Sequence, residues 1–237
     1  MSVLISVRPE WCEKICREIG KDETGKPIYE KRIEVRKSAP KEVPFKAYIY
    51  ATRPKKFYKC GAVRTSDELL WLANGKVEMG DGFKFWANGD EYQCLNGRII
   101  GEFICDKIYP IKAERYDGGS AECSRKSVFT LLPAEEHNAL LNATRLTNEE
   151  IFDYLGGEGK WGYGWHISDL KLYDKPKELN EFRKPLDSVY CSYYRDYCEE
   201  GCVGFGSTDY VCNDYWNWEK GLTRPPQSWQ YVEEVKV

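Results

Sequence analysis

The sequence predicts an α+β protein that consists mostly of β-strands, with a few short helices. Ile33 and Val35 alternate with charged residues, which is the two-residue period of a half-buried strand. Tyr48–Tyr50 forms a compact run of residues that favour β-structure. Residues 60–98 contain four Asn-Gly or Asp-Gly dipeptides, which favour hairpin turns because Asn, Asp and Gly tolerate positive φ angles. Short strands joined by tight turns therefore account for most of the expected structure.

Two helices have recognisable ends. The first starts at Pro9, which suits a first helical turn, and Gly20 is its expected stop. The second begins with a capping box of Thr147 and Glu150 and ends at Gly156. Both are short, so helices are expected to be a minor part of the fold.

The remaining strand candidates are apolar runs, at residues 3–7, 99–105, 108–113 and 127–132. A further run covers residues 165–173, where the apolar side chains change sides near Asp169. A change of side within one strand predicts a β-bulge or a bend at that point.

Length and composition indicate a globular protein. The 237 residues, of which 42% are hydrophobic, suit one large domain or a domain with an appendage. No run of about 18 apolar residues occurs, so no membrane span is expected. The apolar part of MSVLISVRPE is too short for a signal peptide. The expected location is the cytoplasm.

Charge is distributed unevenly along the chain. The first 60 residues hold 15 Lys and Arg against 8 Asp and Glu, whereas the remainder holds 20 against 30. A basic N-terminal quarter can attract phosphate groups at short range. The acidic remainder argues against a protein that coats nucleic acid without specificity. Local recognition of a phosphate-bearing ligand is the better expectation.

Composition also suggests the domain organisation. We expect one domain over residues 1–184, with a β-rich insertion at 60–97, and an irregular lobe at 185–237. That lobe contains eleven aromatic residues between Tyr190 and Tyr231 and shows no sustained helical or strand periodicity. Its aromatic side chains are expected to pack, although Trp216, Trp218 or Trp229 could instead stack on bases.

Four cysteines cluster within the expected lobe, at Cys191, Cys198, Cys202 and Cys212. They could bind one structural zinc ion, which would supply folding free energy to a small irregular lobe. Their spacing lacks the paired Cys-x2-Cys pattern of common zinc sites, and buried free thiols are the alternative. We expect no cofactor, with one structural zinc as the alternative.

Several motifs together resemble the ASCH family. They are the opening strand and helix at 6–11 with Ile15, the basic strand at 31–37, the core strands at 48–52 and 99–103, and the aromatic-His strand at 164–170. The last of these resembles the closing strand of bacterial and phage versions. The resemblance covers about residues 1–60 and 98–182 and leaves the insertion and the lobe outside.

The resemblance implies a PUA-like β-barrel that binds RNA or a nucleotide. The chain is also similar to small bacterial members that hydrolyse acetylated cytidine with a lysine, a threonine three residues later and a glutamate. Lys31 matches that lysine and Glu102 is a possible match for the glutamate. Glu34 occupies the threonine position, and a carboxylate could activate water but could not act as a hydroxyl nucleophile.

Lys31, Glu34, Arg36 and Glu102 form the first candidate site. As an enzyme, the chain would use Lys31, Glu34 and Glu102 to stabilise an oxyanion and to activate water. As a binding protein, it would use Lys31 and Arg36 to meet a phosphate or a base edge, while a carboxylate reads an amino group. A structural cluster of salt bridges is the third alternative.

Four further residues are candidates for ligand binding: Tyr50, Trp165, His166 and Ser168. His166 and Ser168 share one face of their strand, but no Gly-x-Ser-x-Gly elbow accompanies them. The expected function is binding of RNA, a modified base or a nucleotide in a cleft. The alternatives are a hydrolase of a modified nucleoside and a phage protein-interaction module that uses the aromatic lobe.

Overall fold

The computed structural model describes residues 2–53, 61–64, 69–72, 84–87, 90–94, 96–117, 124–185 and 221–233. The expected mostly-β α+β class is confirmed. Three short α-helices are present in this part of the chain, α1 (Pro9–Cys16), α2 (Ala134–Thr144) and α3 (Asn148–Leu155), together with a 3₁₀ turn at Leu179–Glu181. The strands are β1 (Ser2–Val7), β2 (Glu18–Lys21), β3 (Pro27–Tyr29), β4 (Ile33–Arg36), β5 (Phe45–Ala51), β6 (Gly61–Arg64), β7 (Leu69–Leu72), β8 (Lys84–Ala87), β9 (Asp90–Cys94), β10 (Arg98–Cys105), β11 (Ile108–Asp117), β12 (Ser124–Thr130), β13 (Trp161–His166), β14 (Ser168–Lys177) and β15 (Trp229–Val232).

The first sheet has the strand order β14-β10-β5-β1-β15 and is buried on both faces. Its strands pair antiparallel except for β1 and β5, which run parallel from Ser2 opposite Lys46 to Val7 opposite Ala51. One face contributes to an inner core that includes Val3, Ile5, Phe45 and Ala47. The other face forms an outer core, whose members include Leu4, Tyr48, Tyr50, Ile99 and Phe182. Burial of both faces explains the continuous apolar runs of β1 and β5.

The second sheet has the strand order β12-β11-β13-β4, and two helices cover one of its faces. Ile33 and Val35 of β4 pack there against Ile151, Phe152 and Leu155 of α3. The capping box expected at Thr147 and Glu150 is confirmed, and α3 ends at Gly156 with a positive φ. The two-residue period of β4 therefore places Glu34 and Arg36 on the opposite face of this sheet.

Two corners connect the sheets. The chain passes from the first sheet to the second between β10 and β11, and it returns between β13 and β14 at Ile167. Asp169 has a φ of 45° just after the second corner, which confirms the bend expected there. Trp165 and Ile167 thereby join the inner core, and the Trp165 ring meets the Phe45 ring at 5.1 Å. The described strands thus wrap two sheets around one shared core.

The end of the expected C-terminal lobe contains a regular strand. β15 pairs antiparallel with β1, from Ser2 opposite Val232 to Ile5 opposite Trp229. The expectation of irregular structure is therefore wrong for Trp229–Val232. Trp229 and Tyr231 reach the inner core while Val232 reaches the outer core, so this strand does not alternate between apolar and polar residues. A boundary at residue 184 stays a prediction, since residues 186–220 lie outside the described part.

Two smaller sheets complete the described structure. β2 and β3 form a hairpin after α1. The expected helix stop at Gly20 is wrong, because α1 already ends at Cys16 and Gly20 lies within β2. Strands β6 to β9 form a four-stranded sheet of their own, with the order β7-β6-β9-β8. Its strands fall within the expected β-rich insertion at 60–97. Among the described helices, none is long and apolar enough to cross a membrane.

Candidate nucleotide-binding cleft

A cleft of about 570 Å³ lies between β4, the start of α1 and α3. β4 is an edge strand of the second sheet, so its side chains can extend past the sheet toward the first one. Three groups of residues line the cleft. They are Lys31, Glu34, Val35 and Arg36 around β4, Ser6, Val7, Arg8, Trp11, Thr52 and Gln227 on the side of the first sheet, and Leu146, Glu150, Asp153 and Tyr154 on the α3 side.

Lys31, Glu34 and Arg36 meet at the inner end of the cleft, and we call them the charged cluster. Glu34 lies between the two cations, with Oε2 3.4 Å from Lys31 Nζ and Oε1 2.9 Å from Arg36 Nη2. The three residues are only 1%, 7% and 5% exposed. Two cations and one carboxylate are thus removed from water together, and the carboxylate compensates only one of the positive charges.

Lys31 is held by contacts from three elements. Its Nζ donates to the Thr144 carbonyl oxygen at 2.7 Å and lies 5.2 Å from the centroid of the Trp11 ring. Burial lowers the pKa of Lys31, although the nearby Glu34 carboxylate opposes this shift. A lysine with a lowered pKa and a fixed position is common both in binding sites and in catalytic sites.

Arg36 connects β4 to the first sheet. Its Nη2 donates to the Ser6 carbonyl oxygen at 3.0 Å and its Nη1 to the Ser228 carbonyl oxygen at 3.4 Å. These bonds join the edge of the second sheet to β1 and to the residue before β15. The Nε atom of Arg36 is buried and has no hydrogen-bond partner. A buried donor of this kind calls for an acceptor from outside the chain, such as a ligand oxygen or a water molecule.

Two aromatic side chains and one arginine form the outer walls. Trp11 projects from α1, and Tyr154 projects from α3 with 39% of the residue exposed. Burial of the remainder raises the pKa of the Tyr154 hydroxyl. The Arg8 side chain is largely exposed at the start of α1. This combination provides ring faces for stacking and an exposed cation near the opening.

The acidic residues on the α3 side already have partners. Glu150 Oε2 accepts from the Thr147 backbone N–H at 2.7 Å as part of the capping box. Asp153 Oδ1 lies 2.6 Å from Lys126 Nζ. Their charges are therefore partly compensated where they border the cleft.

Glu102, the fourth residue of the predicted charged site, lies elsewhere. It stands opposite Tyr48 in the pairing of β10 with β5, so it faces the outer core side of the first sheet. Its carboxylate accepts from the Tyr173 hydroxyl and lies 3.7 Å from Lys46 Nζ. Burial together with the Glu102 carboxylate raises the pKa of Tyr173. Glu102 is not among the residues that line the cleft.

Trp165 and Tyr50 are core residues. Trp165 is fully buried between Phe45 and Trp229, and its ring centroid is 5.8 Å from that of Trp229. It stands directly opposite Glu34 across the pairing of β13 with β4, and its Nε1 has no hydrogen-bond partner. Tyr50 lies in the outer core, where burial raises the pKa of its hydroxyl. Neither ring is among those that line the cleft.

His166 and Ser168 lie at the second corner, away from the cleft. His166 Nδ1 lies 2.6 Å from Asp106 Oδ1, and Ser168 Oγ donates to the Ile104 carbonyl oxygen at 2.8 Å. Burial alone would raise the pKa of Asp106, but the hydrogen bond and charge of His166 lower it. Both contacts hold the two corners of the fold together, so His166 and Ser168 stabilise the structure here.

The aromatic residues of the cleft walls, Trp11 and Tyr154, are not predicted as site residues from the sequence. Trp11 reads as part of the apolar face of α1, and it does pack beside the inner core. Tyr154 could have been noticed, because it falls outside the apolar stripe formed by Ile151, Phe152 and Leu155. An aromatic residue off the buried stripe of a helix is a candidate for contact with a ligand.

The predicted metal ligands Cys191, Cys198, Cys202 and Cys212 lie outside the described residues. Within the described ranges, no group of three or more His, Cys, Asp and Glu side chains could hold a metal ion. Cys12, Cys16 and Cys105 are buried free thiols. Burial raises the pKa of Cys105 to about 12, and all three thiols are part of the inner core.

No family model and no curated protein matches the sequence. Two solved structures are similar to the chain: an ASCH protein from Zymomonas mobilis and a single-residue mutant of the same protein. Each is 14% identical with a TM-score of 0.42, and the first match covers 98% of this chain and 88% of the other. The second covers 99% and 91%. Both belong to the family that the sequence motifs resemble, but a likeness this distant says nothing of what the present chain binds.

Proposed function

We propose that the cleft binds RNA, a modified base or a nucleotide. The observation that carries this proposal is the charged cluster of Lys31, Glu34 and Arg36 beside the rings of Trp11 and Tyr154. Cations can meet phosphate or carbonyl oxygens, and aromatic faces can stack on a base. The basic N-terminal quarter of the chain supplies both of these cations.

The size of the cleft supports a small ligand. Its volume of about 570 Å³ lies within the range of roughly 300–1,000 Å³ that is usual for small-molecule sites. Such sites combine apolar or aromatic walls with a few fixed polar groups. The cleft has both features, because Trp11 and Tyr154 lie on its walls and the charged cluster is held by backbone carbonyl oxygens.

A purely structural role is the main competing explanation for the charged cluster. Arg36 joins β4 to Ser6 and Ser228, so it does contribute to the fold. Burying three charged side chains is costly, however, and an apolar cluster of similar volume is often as stable. Retention of a net positive charge and of an unpartnered Arg36 Nε at the end of a cleft is better explained by a ligand.

Hydrolysis of a modified nucleoside has less support. Of the three candidate catalytic residues, Lys31 and Glu34 lie together, whereas Glu102 contacts Tyr173 and Lys46 on the other face of the first sheet. Glu34 is also engaged by Lys31 and Arg36, one at each carboxylate oxygen, so neither oxygen is free to take a proton from water. Binding is therefore the function that we favour.

The test is a calorimetric titration of the protein with nucleoside monophosphates and with short single-stranded RNA. Tyr154→Ala should weaken binding by about 1–3 kcal/mol, or roughly five- to 150-fold in Kd, because one stacking face is lost. Arg8→Ala should weaken binding mainly at low salt, because the side chain is exposed and its charge is screened.

Matched controls are available on the second sheet. Tyr116 and Arg125 are exposed and do not line the cleft, so Tyr116→Ala and Arg125→Ala should leave binding unchanged. Equal losses in the control variants and the cleft variants would contradict the proposal. So would the absence of binding to every nucleotide and RNA tested.

A further inference from the structure

We infer that the inner end of the cleft holds a compact terminal oxyanion of its ligand, such as a phosphomonoester. The ligand would then be a single nucleotide or the end of an RNA chain rather than an internal stretch of RNA. This inference rests on the proposed function and specifies which part of the ligand meets the charged cluster.

The hydrogen-bonding groups at the inner end are the first support. Arg36 donates to Glu34, to the Ser6 carbonyl oxygen and to the Ser228 carbonyl oxygen, yet its buried Nε has no partner. This unpartnered group can only donate. Its natural complement is a ligand group with acceptor oxygens.

The charge of the cluster is the second support. Lys31 and Arg36 each lie next to one oxygen of Glu34, so one carboxylate charge is shared between two cations. The remaining positive charge is almost completely buried, and a buried charge without compensation is costly. An anionic ligand group would compensate it. Glu150 and Asp153 on the α3 side are engaged with the Thr147 N–H and with Lys126.

The burial of Lys31 and Arg36 favours a terminal phosphate of an RNA chain over an internal phosphodiester. Lys31 and Arg36 are more than nine-tenths buried, whereas the contacts of proteins with internal phosphodiesters come from side chains that lie along an open surface. An internal phosphodiester carries nucleotides on both sides, so both would have to fit beside these buried side chains in a cleft of about 570 Å³. A terminal phosphate has one substituent only, so its free oxygens can enter first.

The orientation of the ligand follows from this placement. With the phosphate at the charged cluster, the base would lie toward the opening, where the exposed face of Tyr154 and the ring of Trp11 are available for stacking. The opposite orientation, with a base amino group donating to Glu34 and the phosphate near Arg8, predicts a different response to substitution of Glu34.

The first arm of the test uses the unmodified protein and four ligands in calorimetric titrations. They are a nucleoside, its 5′-monophosphate, and an RNA hexamer with either a 5′-phosphate or a 5′-hydroxyl end. The phosphorylated member of each pair should bind at least about tenfold tighter, as expected for charge-assisted hydrogen bonds. Inorganic phosphate should compete with the monophosphate. Equal affinities within both pairs would overturn the inference.

The second arm uses Glu34→Gln, which keeps the shape of the side chain and removes its charge. The cluster would then carry more positive charge, so the monophosphate should bind tighter while the nucleoside does not. If Glu34 instead accepts from a base amino group, both ligands should bind more weakly, and the inference fails. Glu23→Gln, in the exposed turn between β2 and β3, controls for the change in net charge.

The two proposals fail in distinguishable ways. Absence of binding to nucleoside, nucleotide and RNA alike would overturn the proposed function and this inference with it. Binding without a preference for the terminal phosphate would overturn the inference alone. If Glu34→Gln does not fold, as judged by thermal unfolding, the four-ligand comparison still decides.

Discussion

At the scale of single residues, Lys31 is the clearest sign that the cleft has a function. Its ammonium group is buried, and it is held by the Thr144 carbonyl oxygen and the Glu34 carboxylate. Lysines are seldom fully buried unless they are paired. Here burial outweighs the pairing, and the pKa of Lys31 is lowered.

This lowered pKa predicts a pH dependence of stability. The folded protein releases the Lys31 proton at a lower pH than the unfolded chain, so the unfolded chain binds more protons between the two pKa values. The contribution of Lys31 to the free energy of unfolding therefore rises with pH, from its lowered folded pKa up to about 10.4. Denaturant unfolding of wild type and Lys31→Met should show wild type gaining relative stability as the pH is raised through that range.

The exposed Lys26 provides the control, because Lys26→Met removes a lysine from the turn between β2 and β3. Its stability difference from wild type should not change with pH in this way. A difference between wild type and Lys31→Met that is flat or falls with rising pH would contradict the account of the buried ammonium group.

The sequence is sufficient to place the three residues of the charged cluster together, but not to place Glu102, the fourth residue of the predicted charged site. The two-residue period of β4 puts Glu34 and Arg36 on one face, and Lys31 directly precedes that strand. Glu102 lies on β10, which belongs to the other sheet. Periodicity within a strand cannot tell which strands become neighbours or which of two sheet faces meets a cleft. For the same reason, the sequence suggests Trp165 and Tyr50 as ligand contacts, whereas the structure places both in the core.

At the scale of elements, the cleft depends on the contact between α3 and the β13–β4 edge. Gly162 of β13 lies directly under Leu155 of α3, and a Cβ added at Gly162 would overlap Leu155 Cδ2 and lie 3.0 Å from the Arg36 carbonyl oxygen. A glycine is thus required here by the close approach of two elements. The position matters to the site because Gly162 packs against the backbone of Arg36 and against Leu155, the residue that follows Tyr154.

Gly162→Ala should therefore destabilise the fold by about 1–3 kcal/mol, as expected for overpacking of a core. Ligand affinity should fall together with stability, because α3 must move relative to β4. Gly20→Ala is the matched control, since a Cβ at Gly20 meets nothing within 4 Å. Denaturant unfolding of both variants gives the comparison, and equal stabilities would contradict the described packing.

Elements with local signals could be predicted, and elements without them could not. The capping box of α3 and the bend at Asp169 each have a signature within a few residues, and both are present. β15 lacks one, because apolar residues lie on both of its faces and it follows a stretch without periodicity. Its strand structure results from pairing with β1, more than 220 residues earlier in the sequence, and such pairing leaves no local trace.

At the scale of the whole molecule, the cleft is assembled from distant parts of the chain. Arg36 links the second sheet to Ser6 in β1 and to Ser228 before β15. The inner core also joins both sheets, through Phe45 and Trp165 and through Trp229 behind them. The site is thus a product of the shared core of the two sheets. The motifs of the sequence predict a mostly-β fold of the PUA-like type. The residues that form the cleft walls become apparent only in the folded structure.

The central claim is that a nucleotide binds in this cleft with its phosphate at the charged cluster. A crystal structure of the protein with a nucleoside 5′-monophosphate tests it most directly. The account predicts density for the ligand between β4, α1 and α3, with phosphate oxygens within hydrogen-bonding distance of Arg36 Nε and Lys31 Nζ and the base against Tyr154. A nucleotide that binds elsewhere, beside Glu102 or at the His166 corner, or one that leaves Lys31 and Arg36 without contact, would contradict it.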